Sequence, residues 1–65
     1  MEWKEITQEN CDELYELDSQ GYPIMIAYKF NNNYITYNNL HDCTLSIGTM
    51  GKSGNYYYIV LPKLY

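Results

Sequence analysis

Arginine is absent from this 65-residue chain, and four scattered lysines are its only fixed cations. With arginine goes the planar fork that most often grips phosphate or carboxylate at two points. A phosphate backbone needs a basic stripe, so duplex DNA or RNA is not an expected partner. Histidine occurs once, at His41, and cysteine twice, at Cys11 and Cys43. Those two lie too far apart for the short paired spacing of a zinc site and are too few for a secreted disulfide scaffold. Two reduced, mostly buried thiols are expected, with a Cys11–Cys43 bridge as the alternative. The seven asparagines include no N-x-[ST] acceptor. No apolar run approaches the roughly 18 residues of a membrane span. The start, Met1-Glu2-Trp3-Lys4-Glu5, has neither the basic flank nor the apolar core of a secretory leader. These absences lead to the expectation of a soluble, cytoplasmic protein with no membrane partner.

Branched aliphatics are scarce as well. Leu, Ile, Val and Phe together number 14, whereas tyrosine alone contributes nine residues, so tyrosine must carry much of the burial. A chain of this length forms one small domain, spanning residues 1–65, and buries only about 60% of its unfolded surface. An additional interface is the usual remedy, and a homo-oligomer, with a dimer favoured, is expected. Charge is unevenly placed: seven of the eight acids fall within the first eighteen residues, leaving that end strongly negative while the remainder is weakly positive.

Along the chain, Thr7 has the chemistry to N-cap a helix starting at Gln8, with Ile6 and Cys11 forming a hydrophobic staple. Cys11, Leu14, Tyr15 and Asp18 form one stripe about 100° wide, and Glu9, Asp12, Glu13 and Glu16 share the opposite face. Gly21 and Pro23 stop this amphipathic helix. Ile24 to Phe30 alternates with a period of two and reads as a strand. Asn31-Asn32-Asn33 turns it into a partner strand, Tyr34 to Tyr37. Cys43 to Ile47 alternates apolar with small hydroxyl residues, predicting a third strand with Cys43, Leu45 and Ile47 inward. A Gly-rich hairpin turn, Gly51 to Asn55, then leads into Tyr56 to Leu61, which is apolar on both faces and so expected to be central or covered. Pro62 ends the pairing and leaves a tail, Lys63-Leu64-Tyr65. Trp3 has the option of adding a short strand. The expected fold is α+β: one N-terminal amphipathic helix packed on a small antiparallel four-stranded sheet made of two hairpins, with the strand order open.

Chemistry-bearing motifs are weak. Gly48-Thr49-Met50-Gly51-Lys52-Ser53 has too few residues between its glycines for a phosphate-binding loop. In His41-Asp42-Cys43, an extended chain points Asp42 away from both neighbours, so no base and orienting partner form locally. No catalytic residue, metal ligand or cofactor is assigned, and the chain reads as non-enzymatic. The helix acids read as a solvated face or as a mimic of a phosphate backbone. Nine tyrosines exceed what so short a chain can bury, and tyrosine is enriched at protein interfaces for its large area and low entropy cost. Candidate interaction residues are therefore Tyr34, Tyr37, Tyr56 and Tyr58, together with the acidic Glu9, Asp12, Glu13 and Glu16.

Trp3 with Ile6, the apolar strand Ile24 to Phe30, and the aromatic closing run Tyr56 to Pro62 resemble the short uncharacterised proteins carried by bacteriophages and prophages. The resemblance implies a phage accessory protein made in the bacterial host cytoplasm. Proteins of that genre include counter-defence inhibitors, which bind a bacterial host protein and occlude its surface. The alternatives are an oligomeric sponge for a nucleotide-like signalling molecule and a minor phage structural or regulatory protein.

Overall fold

The computed structural model describes residues 2–63; Met1 and the Leu64-Tyr65 end of the expected tail lie outside the described residues. The elements are β1 (Lys4–Glu5), α1 (Cys11–Ser19), β2 (Ile24–Phe30), β3 (Asn33–Tyr37), a 3₁₀ turn (Leu40–Asp42), α2 (Ile47–Ser53) and β4 (Tyr56–Val60). The class is α+β, with an antiparallel four-stranded sheet in the order β1-β4-β2-β3.

Thr7 closes the turn that leads into α1, while the N-cap position of the helix itself is Asn10. The Thr7 N–H donates to Asn10 Oδ1 at 2.8 Å, and the Asn10 N–H donates to Thr7 Oγ1 at 3.4 Å. This is the reciprocal exchange of a capping box, with Asn in place of the usual Glu or Gln. A turn over residues 8–10 follows, so α1 proper begins at Cys11 rather than Gln8. The helix closes with Gly21 at φ +87°, its N–H donating to Asp18 O at 3.0 Å while the Tyr22 N–H donates to Leu17 O at 3.2 Å. That pair of bonds is a Schellman motif, in which glycine adopts the left-handed conformation without a Cβ penalty.

The hairpin β2–β3 forms, but Asn33 already belongs to β3 opposite Phe30, so the connection is Asn31-Asn32 rather than the asparagine triplet, with Asn31 at φ 56° supplying the positive φ it needs. The second expected hairpin does not form. In place of a strand at Cys43 to Ile47 and a turn at Gly51 to Asn55, the chain makes the 3₁₀ turn and then α2. Ser46 caps α2 by accepting the Thr49 N–H at 3.3 Å, and Gly54 at φ +76° ends it. Gly48 and Gly51 inside α2 weaken it intrinsically by about 1 kcal/mol each relative to Ala. They also permit close approach: a Cβ on Gly51 would lie 3.1 Å from the Thr7 carbonyl carbon and oxygen. Gln8 Nε2 donates to the Gly48 carbonyl at 3.2 Å, and the Gly48 N–H donates to the Tyr15 hydroxyl at 3.3 Å. Tertiary contact with the turn before α1 thus outweighs the poor local propensity. Cys43 and Ile47 are buried as expected, but Leu45 is partly exposed.

The fourth strand is instead β1, beside Trp3. It pairs with β4, Lys4 opposite Tyr58 and Glu5 opposite Tyr57. The strand that is apolar on both faces, β4, is central, between β1 and β2. Two helices rather than one cover a single face of the sheet. Ile6, Ile24, Ile26, Tyr56 and Tyr58 pack there against Leu14, Leu40, Cys43, Ile47 and Met50. Ile6, Leu14, Ile26 and Met50 are fully buried.

Candidate functional site: an aromatic groove on the open sheet face

Side chains alternate across a strand, so the residues between those of the core point to the opposite face. Register places Glu5, Tyr57, Ala27 and Thr36 in one row across all four strands on that second face. Met25 opposite Ile59, and Lys29 opposite Tyr34, lie on either side of the row. Among the described residues no helix covers this face.

Ala27 is the small residue at the centre, on a central strand, with larger side chains around it. The result is a groove of about 400 Å³ lined by Trp3, Ala27, Tyr34, Thr36 and Tyr57. Ala27 is its buried floor, while Trp3 (44% exposed) and Tyr34 (60% exposed) present their rings to solvent. The lining contains aromatic faces, phenol hydroxyls and one threonine hydroxyl, and no charged group. It therefore suits an apolar occupant with a few polar edges, while the charged groups of this face, Glu5 and Lys29, stand beside the groove rather than in its lining.

The candidate interaction residues separate. Tyr34 lies on the open groove, and Glu9, Asp12, Glu13 and Glu16 are exposed on or just before α1. Since α1 packs on the covered face, these acids and the groove occupy different surfaces. Glu13 instead lines a shallow groove with Lys4, Leu17 and Tyr58. Tyr37 is half-buried against the core. Tyr56 and Tyr58, expected at an interface, are instead buried core residues, Tyr58 reaching the surface only at the edge of that shallow groove. Their parity with Val60 and with Ile24 and Ile26 across the register turns them inward. Burial pushes both phenols above their ordinary 10.0, with lesser contributions from Cys43, Tyr28 and Tyr37 at Tyr56 and from Glu13 at Tyr58. Tyr56 also stacks on Tyr28, ring centroids 4.7 Å apart. Trp3, Tyr57, Ala27 and Thr36 were not among the candidates. Alternation does place Tyr57 opposite its two neighbours, but only the position of the helices decides which side is open.

The one His-containing cluster was also only half legible. His41 Nε2 lies 3.0 Å from Asp18 Oδ1, a partner from α1 rather than the adjacent Asp42. Cys43, though it shares a small groove with both, is buried, and among the described residues no hydrogen bond joins its thiol to His41. Both cysteines are free thiols. Among the described residues no three of His, Cys, Asp and Glu come together as metal ligands, and no helix is long and apolar enough to cross a membrane.

Comparison of the chain with protein-family models, with curated proteins and with solved structures gives no match.

Proposed function

We propose that this chain is a small non-enzymatic protein-binding module that seats an apolar side chain of a partner protein in the groove between Trp3 and Tyr34. The observation that carries this reading is an uncovered sheet face whose central hollow, over Ala27, is walled by Trp3, Tyr34 and Tyr57. Tryptophan and tyrosine dominate the energetic centres of protein interfaces, where a well-packed pocket excludes water. A charge-free lining and the absence of arginine favour a protein over a phosphorylated ligand. With the resemblance to phage accessory proteins, the partner is a bacterial host protein whose surface is occluded, and the place of action is the host cytoplasm.

Ala27→Leu tests this, because it fills the hollow from the floor while adding only apolar volume. A photo-reactive residue at position 36 should cross-link one discrete bacterial protein, and Ala27→Leu should reduce that capture by about tenfold, the loss of roughly 1.4 kcal/mol of binding. Glu16→Lys, on the other side of the molecule, should leave it unchanged. Capture that survives Ala27→Leu in a folded protein would contradict the reading.

A further inference from the structure

The two edges of the sheet are treated differently by the sequence. β1 is two residues long and both, Lys4 and Glu5, are charged, a common way of blunting an edge against pairing with another chain. β3 is five residues, Asn33 to Tyr37, and among the described residues pairs only with β2. It has no charge, no proline and no glycine, so none of the usual protections is present on it.

Its free backbone groups can be assigned. In a hairpin joined by two residues, the closing pair Phe30 and Asn33 exchanges backbone hydrogen bonds, and alternate pairs do the same. The Lys29 N–H indeed turns the other way, donating to Asn55 O at 2.9 Å. The N–H and C=O groups of Tyr34 and Thr36 therefore point out of the sheet edge. Beside them, on the helix-covered side but beyond the helices, Ile35 is 48% exposed and Phe30 54% exposed. An unpaired ladder and an apolar ledge thus coincide at one edge.

We propose that β3 pairs antiparallel with β3 of a second copy, about a two-fold axis at Ile35, to give a homodimer with one continuous sheet. In this register Tyr34 of each copy exchanges backbone hydrogen bonds with Thr36 of the other, and Ile35 meets its own symmetry mate on the apolar ledge. A two-fold perpendicular to the sheet keeps the open faces on the same side, so the two aromatic grooves lie next to each other. The second copy is favoured over an unrelated strand because the edge is self-complementary: with no charge on it, nothing repels a copy of itself. This inference rests on the edge and stands apart from the reading of the groove.

Light scattering after size exclusion, over a range of concentrations, should give twice the chain mass of 7.7 kDa. Ile35→Lys puts two like charges at the axis and should weaken the dimer by about tenfold or more while far-ultraviolet circular dichroism stays unchanged. Thr36→Pro removes an N–H that has no partner among the described residues and should also give monomer, providing a second test if either variant fails to fold. A wild-type monomer at hundreds of micromolar, or a dimer that both folded variants leave intact, overturns the proposal. Ala27→Leu should leave the dimer in place, which separates this result from any failure of the groove.

Discussion

The two faces of the sheet share the same strands but are built to different ends. On the covered face β2 contributes Ile24 and Ile26 and β4 contributes Tyr56 and Tyr58, closed by Leu14, Met50 and Ile47 from the helices. On the other face the same strands place Ala27 and Tyr57, with Tyr34 mostly and Trp3 about half in solvent. Both faces carry tyrosine, although only the open one also carries Glu5, Thr36 and Lys29. For the tyrosines, what differs is whether a helix lies above. The comparison teaches that aromatic content alone does not tell core from interface in a small domain; the position of the covering elements does.

The difference predicts a graded response to mutation. Leu14→Ala, which opens a cavity under α1, should cost about 3 kcal/mol. For a domain whose total stability is roughly 5 kcal/mol, that leaves a large unfolded population in a urea titration. Stability should next respond to alkali. Tyr56 and Tyr58 hold their protons above 10.0 when folded, so the unfolded chain binds fewer protons as the pH rises past 10. Their contribution is complete below pH 10 and is lost progressively above it, so the urea midpoint should fall as the pH rises past 10. Tyr56→Phe with Tyr58→Phe should remove most of that fall, whereas Tyr34→Phe on the open face should not.

Gly54→Ala should cost about 1 kcal/mol in the same titration, because Ala is strained at the left-handed φ of +76° that ends α2. The smallest effect belongs to the surface: His41→Ala breaks an exposed pair with Asp18 and should change stability by less than about 1 kcal/mol.

Much of this fold could be read from single residues. Thr7, Gly21 and the Asn triplet mark a helix start, a helix stop and a hairpin because each meets a local backbone demand. The strand at Tyr56 to Val60 is legible as central from its apolar character on both faces. The stretch Ile47 to Ser53 does not read as a helix, because the alternation of Cys43 to Ile47 mimics a strand and Gly48 and Gly51 disfavour helix. The reason it is helical lies elsewhere in the chain, in the turn at Thr7 and Gln8 against which Gly51 packs. The groove was invisible for the same reason. Trp3 and Thr36 are far apart in sequence, and only the order β1-β4-β2-β3 brings them onto one face around Ala27.

The covered face holds the fold together, and the open face is the one proposed to serve recognition. The most direct test of this division is the unfolding free energy of the double variant Trp3→Ser, Tyr34→Ser, followed by circular dichroism in urea. Tyr34 is mostly solvated and Trp3 is about half exposed, so the predicted loss is about 1 to 2 kcal/mol, clearly below that of Leu14→Ala, with a transition that stays cooperative. A loss as large as that of Leu14→Ala would show that these rings are structural, and would contradict the account.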